Sequence, residues 1–251
     1  MNKQTIYALI SFACVVLLWD LVTRFSGWSA QVFPPPLTVL GAFYELTANG
    51  TLLKHSVASL YRVTVGFYLA ALLGIPLGII LGRLTMVKIL VNPLVQFLRP
   101  ISPLAWIPLA MLWFGIGDQP AIFLIFLASF FPLVVSTTVA VDHINPMYFQ
   151  VAANFDFTRR EIISKVVLPA ILPSVVTALR LTVAIAWLVV VAAEMIAVQS
   201  GLGYLILDSR NALRMDYVMV GMVAIGMIGL LLDYIMIRVS TAESIMWGRF
   251  K

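Results

Sequence analysis

Charge is what this chain has least of. Asp, Glu, Lys and Arg make up 11% of its 251 residues, where a soluble domain carries about 25%. Cysteine is nearly missing: Cys14 is the single one and lies in an apolar run, which excludes a disulfide framework or a thiolate cluster. The two histidines, His55 and His143, are remote from each other and from any acidic group of ligand spacing, so no metal site is indicated. The dipeptide Gly-Lys never occurs, which excludes a GxxxxGK[ST] phosphate loop. No Ser/His/Asp or Cys/His constellation can be assembled from spacing. Basic residues are scattered, with no basic tract interleaved with aromatics, so the net charge of +5 is not a nucleic-acid signal. There is no repeat of 20–50 residues.

What is there is apolar: 62% of the residues, against roughly 45–50% for an ordinary domain. A soluble fold of this size cannot hide so much apolar surface, and lipid must be the solvent for much of it. The pattern predicts an all-α polytopic membrane protein, one domain over 1–251 with about six spans, roughly 6–23, 57–82, 89–114, 120–141, 170–198 and 217–239. The first run has no small-x-small cleavage site after it, and is read as a retained span. Pro34-Pro35-Pro36 cannot stand in a helix interior, and Leu37 to Leu53 reads as a short amphipathic surface helix. If the N-terminus is cytoplasmic, nine basic residues (Lys3, Arg83, Lys88, Arg159, Arg160, Lys165, Arg238, Arg249, Lys251) are inside and five (Arg24, Lys54, Arg62, Arg210, Arg214) outside, with Arg99 and Arg180 in spans. The positive-inside bias then puts both termini in the cytoplasm.

The third span carries Pro93, Pro100, Pro103 and Pro108. Carbonyls freed by these prolines cannot face lipid, so this span is expected inside the bundle or lining a cavity, or else as a merely kinked structural helix. Arg99, Arg180 and Glu194 lie in apolar runs, where an unpaired charge costs at least ~2.5–3.5 kcal/mol. They line a path, or they pair structurally, for instance Glu194 with one arginine. The candidate path residues are Arg99, Ser102, Pro103 and Trp106 on the third span and Arg180, Trp187 and Glu194 on the fifth. Gln199 to Gly203 turns the chain. The apolar stretch Tyr204 to Leu207 is too short to cross, and is either a re-entrant or surface helix or a plain external loop.

The connection over 142–168 is the most informative stretch. Asn145 is a good N-cap and Pro146 fits the first helical position. Met147, Val151 and Phe155 recur every four residues and give one apolar face. Thr158-Arg159-Arg160-Glu161 matches a capping box and starts a second helix. Asp156-Phe157 is then the turn, and Leu168-Pro169 is expected to break the second helix before the next span. Tyr148, Phe149, Phe155 and Phe157 are expected to be exposed. That arrangement offers a docking surface for a partner protein, packing beneath the bundle, or contact with the lipid surface.

This segment resembles the EAA loop of binding-protein-dependent ABC importer permeases: Glu-Ala-Ala, a glycine, then a basic-aromatic stretch closing on Leu-Pro. Aligned on Leu168-Pro169, the glutamate falls at Gln150, the alanines at Val151 and Ala152, and the glycine at Asp156, a residue type that visits the left-handed region at modest cost. The runs HSVASLYRVTVGFYLAALLGIPLGIILG, LVQFLRPISPLAWIPLAMLWFGIG and ALRLTVAIAWLVVVAAEMIAVQSGLGYLI are similar to the nitrate/sulfonate/taurine/bicarbonate branch. The resemblance implies a type I importer fold and a second permease copy, as a homodimer. It implies two ABC ATPase subunits that bind ATP and Mg, and an extracytoplasmic substrate-binding protein. The ATPases would grip Pro146, Met147, Tyr148, Gln150, Val151, Ala152, Phe155, Asp156, Thr158 and Arg159. The chain itself would bind no cofactor and be no enzyme. An ion-coupled secondary transporter is the alternative; it needs buried coupling carboxylates, of which Glu194 is the clearest.

Overall fold

The computed structural model describes residues 3–25, 27–29 and 31–247; Arg249 and Lys251, counted above as inside charges, lie outside them. Among the described residues the chain is helical and contains no strand. Helix α1 is Lys3–Phe25 and α2 is Pro36–Ala48; α3, Thr51–Arg83, follows after Gly50. The expected surface helix over 37–53 therefore ends at Ala48, and Thr51 to Leu53 already belong to α3. Pro36 supplies the first turn of α2, where no amide hydrogen is needed.

The third hydrophobic segment is two pieces. Helix α4, Thr85–Leu98, and the Pro103–Trp106 turn leading into α5, Ile107–Phe114, are bent by 86° from one another. Helix α6 is Asp118–Asp142 and α7 is Pro146–Asn154. The short α8, Arg159–Glu161, passes through a π-helical segment, Ile162–Val167, into α9, Leu168–Ala197. The chain closes with α10, Leu202–Asn211, and α11, Met215–Trp247.

Four of these helical stretches are long and apolar enough to cross a membrane: Thr51–Arg83, Asp118–Asp142, Arg159–Ala197 and Met215–Thr241. The bent α4–α5 pair makes a fifth if taken as one span. The Arg159–Ala197 stretch, 39 residues, is about 58 Å long against ~30 Å of hydrocarbon, so its charged first turns project beyond the lipid core.

Leu168-Pro169 does not break this helix. A proline inside an α-helix loses its own hydrogen bond and clashes with the carbonyl four residues back. The wider π turn just ahead shifts that register, and the chain passes through Pro169 without stopping. In the third span the opposite holds. Helix α4 ends at Leu98, and Ser102 is then driven extended (ψ 130°) before Pro103, as the pyrrolidine ring demands, so the chain restarts in a new direction.

The core is built on α3 against α6 and α6 against α9, with α11 covering α9, α10 and α2. Lipid tails give no hydrophobic drive between helices, so close backbone approach must hold them. Gly66, Gly74, Gly78 and Gly82 of α3 meet Ile125, Leu133, Thr137 and Val141 of α6 in that order. A Cβ at Gly78 would sit 2.6 Å from Thr137 Cβ, and one at Gly82 would sit 2.5 Å from Val141 Cβ.

Candidate coupling surface and membrane cavities

Helix α7 is fixed at both ends by its own sequence. Asn145 Oδ1 accepts the Met147 amide hydrogen at 2.9 Å, satisfying one of the orphan donors of the first turn. At the other end Asp156 takes the left-handed conformation (φ 52°). The Phe157 amide donates to the Ala152 carbonyl at 3.0 Å and the Asp156 amide to the Ala153 carbonyl at 3.1 Å, the paired bonds of a Schellman stop. The capping box follows: Thr158 Oγ1 accepts from the Glu161 amide and Glu161 Oε2 accepts from the Thr158 amide. The Lys165 ammonium at 2.8 Å from Glu161, with the Thr158 bonds, holds the Glu161 carboxyl down to about 2.

Ala152 and the neighbouring Ile144 are buried, anchoring α7 to the ends of α6 and α9. Met147, Tyr148, Val151 and Phe155 are exposed, Phe155 at 71% and Met147 at 65%; Gln150, Arg159 and Thr158 are exposed beside them. Two of the four aromatics expected outside are turned in. Phe149 packs against the Val141–Ile144–Val167 cluster with the Arg83 guanidinium 4.2 Å over its ring. Phe157 lies half-buried with the Lys165 ammonium 5.0 Å from its ring centroid. Both rings find cations and apolar neighbours at once, which a four-residue spacing rule does not see.

Glu194 pairs with an arginine, the structural alternative the sequence offered, and the arginine comes from α3. Glu194 is fully buried, and its partner is Arg62, at 2.6 Å, rather than Arg99 or Arg180. Arg62, assigned above to an exterior connection, stands inside α3 and is 1% exposed. Its guanidinium also reaches Asp118 at 2.7 Å, the Ser200 carbonyl at 2.8 Å and the Ser200 hydroxyl. The second oxygen of Glu194 accepts from Ser59 Oγ at 2.8 Å and from the Gly203 amide at 3.0 Å. His55 Nδ1 accepts the Gly201 amide, and its ring stacks on Tyr204. One buried arginine thus ties α3, the start of α6, the end of α9 and the α9–α10 turn. Gly201 and Gly203 let the turn close over the carboxylate, since a Cβ at Gly201 would overlap Glu194 Cδ at 2.2 Å. The Tyr204 to Leu207 stretch is part of a packed ten-residue helix, α10, neither an unstructured loop nor a span.

Arg180 pairs with Asp233 of α11 at 2.8 Å. Trp187 is buried, its indole donating to the Ile225 carbonyl at 3.0 Å and lying against Gly229. Arg180, Trp187 and Asp233 share a pocket of about 250 Å³. Ser102, Pro103 and Trp106 sit at the α4–α5 break, with Trp106 6.4 Å from the Trp113 ring. The seven expected path residues therefore fall in separate surroundings rather than one channel wall. Arg62, Asp118 and Asp233 were missed. The available signal was Arg62 standing within the 57–82 run, where an arginine demands a buried acid.

Two larger cavities flank the end of α6 that leads to α7. One, of about 950 Å³, lies between α6 and α9 and includes Ser136, His143, Lys165, Ser174 and Thr177. The other, of about 680 Å³, lies between α4 and α6 and includes Arg99, Gln96, Asn92 and Thr138. The two halves of the third span differ: α4 lines this second cavity, with Val95 alone of its side chains buried, whereas α5 packs Ile107 and Ala110 into the bundle against Leu124 and Ala193.

The profile of the family described as binding-protein-dependent transport system inner membrane component matches residues 74–242. A putative ABC transporter permease of Methanocaldococcus jannaschii is 38% identical over 92% of this chain and 88% of its own length. The putative aliphatic sulfonates transport permease SsuC of Bacillus subtilis is 36% identical over 88% of this chain and 80% of its own. The nitrate import permease NrtB of Synechocystis is 32% identical over 92% and 86%. The inward-facing MetNI methionine ABC transporter superimposes with a TM-score of 0.68 at 19% identity, covering 78% of this chain and 98% of that one, which is a likeness of fold.

Proposed function

This chain belongs to the family of binding-protein-dependent transport system inner membrane components, and from that premise we propose how it works: partner ATPases grip α7 and drive a small anion through the bundle. It is a permease subunit of an ABC importer with the type I permease fold, and the ion-coupled secondary transporter reading is set aside. The anionic cargo rests on relatives named for sulfonates, taurine and nitrate. With no Gly-Lys in the chain, ATP and Mg belong to the ATPase subunits, and this chain is not itself an enzyme.

The single observation that carries the coupling role is the outward apolar face of α7. Met147, Val151 and Phe155 project from a helix whose two ends are capped and whose inner side is anchored by Ala152. An apolar face held rigidly in water fits a groove in a soluble partner. Pro146, Tyr148, Gln150, Asp156, Thr158 and Arg159 form its rim. ATP can move the transporter only if the ATPases hold this helix differently in their closed and open states. The second permease copy is a homodimer partner, and the substrate-binding protein docks on the face carrying α2 and α10. Both termini and α7 are cytoplasmic, on the strength of the basic-residue bias.

Phe155→Asp and Val151→Asp test this. Losing an exposed anchor of a docking site costs about 2 kcal/mol or more, roughly thirtyfold in affinity. The expected result is membrane insertion at the parental level, loss of co-purifying ATPase, and loss of substrate-stimulated hydrolysis. Parental uptake by both variants overturns the assignment. For orientation, a Tyr148→Cys variant in a Cys14→Ser background is expected to label only when the cytoplasmic side is accessible.

A further inference from the structure

Helix α4 is two-sided in an unusual way for a helix with lipid around it. Lys88, Asn92, Gln96 and Arg99 recur at intervals of four, four and three, which places all four within one arc of about 80°. The opposite side carries Met86, Leu90, Leu94 and Phe97, all exposed, as a lipid-facing or partner-facing surface requires. The polar side is not exposed to the same surroundings: all four of its residues line the 680 Å³ cavity against α6.

The charges of that stripe are unequal. Lys88 is neutralised by Asp142 at the end of α6. Arg99 has no acidic partner and no side-chain hydrogen bond among the described residues, whereas Arg62 and Arg180 each have a carboxylate. An unpaired guanidinium facing hydrocarbon is expensive, so its side of the helix must meet water or an anion. The groups beside it are the carboxamides of Asn92 and Gln96, which donate N–H bonds; the Thr138 hydroxyl of α6 gives its hydrogen to the Val134 carbonyl at 2.8 Å. The remaining wall is Leu81, Val95, Val134, Val135 and Val139, a low-dielectric surround that strengthens the field of the Arg99 guanidinium. Val139 also lines the larger cavity beneath α7, so the two spaces adjoin.

We propose that this α4–α6 cavity is an anion station, in which Arg99, aided by the amides of Gln96 and Asn92, holds a small oxyanion at the end of the bundle that carries the coupling helix. The inference rests on the anion-import reading for its cargo, but its site is defined by the chain's own residues. Planar or tetrahedral oxyanions present the bidentate edge a guanidinium matches. Among the described residues lining the cavity Arg99 is the one unpaired cation, so binding is weak enough to release, as conduction requires.

The test is charge-selective thiol labelling of the purified chain in nanodiscs of zwitterionic lipid, without ATPase or binding protein. Gln96→Cys and, independently, Asn92→Cys are placed in a Cys14→Ser background. Each is reacted with anionic and cationic methanethiosulfonates, with rates normalised to a free thiol. The expected anionic preference is about tenfold, the low end of focusing by a charged cleft. Adding Arg99→Gln should reduce it to near unity, and millimolar nitrate or methanesulfonate should slow labelling. Equal rates for the two reagents, or a preference unaffected by Arg99→Gln, overturn the proposal, as does failure of both cysteines to react at all. Protection by added phosphatidylglycerol but not by nitrate assigns the cavity to a lipid headgroup instead. Because no ATPase is present, loss of coupling in the α7 variants and loss of anion preference here are separate outcomes.

Discussion

Removing the Glu194 carboxylate should loosen the bundle at the end where α10 sits. Glu194 is fully buried and accepts three bonds, from Arg62 at 2.6 Å, Ser59 at 2.8 Å and the Gly203 amide at 3.0 Å. Breaking a buried pair by deleting one partner costs about 3–5 kcal/mol, because the other charge stays behind. Each stranded neutral donor adds about 1 kcal/mol or more. Arg62 keeps Asp118 and Ser200, which places the sum for Glu194→Ala near 4 kcal/mol. At roughly 2–4 °C per kcal/mol for a chain of this size, the apparent melting temperature in detergent should fall by about 10 °C, read by intrinsic tryptophan fluorescence. Glu194→Gln keeps the shape and should lose about half as much. The double variant Arg62→Met/Glu194→Met removes both charges together and should recover much of the loss. A Glu194→Ala protein melting within about 2 °C of the parent, or a double variant as weak as the sum of its singles, refutes the buried-pair account.

Three further outcomes follow from the geometry. Gly82→Val places methyl carbons where Val141 already stands; overpacking of this kind costs about 1–3 kcal/mol, and the variant should melt several degrees lower while Gly226→Val, with open space at its Cβ, should not. Asp156→Gly relieves a non-glycine residue at φ 52°, and a thermal-melt gain equivalent to about 0.5–1 kcal/mol is expected. The depressed carboxyl of Glu161, at about 2, gives the capping box a one-sided pH response: its contribution is complete above the unfolded carboxylate range and is lost progressively as pH falls from that range through about 2. Amide exchange at Thr158 and Glu161 should thus show unchanged protection between pH 7 and pH 5, and a Glu161→Ala variant should lose it throughout.

Much of this was legible because the bilayer reads sequence crudely. Span length and apolar content are one-dimensional properties, and helices α3, α6 and α9 overlap the runs over 57–82, 120–141 and 170–198. Caps are local too, and Asn145, Thr158 and Asp156 act within a few residues of themselves. What spacing did not reveal is three-dimensional. Arg62 and Glu194 are separated by 132 positions, and no periodicity links them. Proline signalled interruption at Ser102 and at Leu168 alike. Whether a proline bends the chain or is absorbed by a π turn depends on the turn preceding it. Of the expected path residues, Arg99 alone is left with an unpaired charge beside a polar stripe; Arg180 and Glu194 found acids and bases of their own.

The glycine seam between α3 and α6 has a mechanical consequence. Four contact points from Gly66 to Gly82 span about 24 Å with no slack for sliding, so the two helices behave as a single beam. A three-residue turn, 143–145, joins that beam to α7, and Ile144 of the turn is buried against Val141 and Val167. A tug on α7 is therefore delivered along most of the membrane's thickness at once. Among the described residues no such seam runs through the proline-punctuated corner from Arg99 to Ser102, where α4 and α5 meet at 86°; on the coupling proposal above, that corner is where the frame would give.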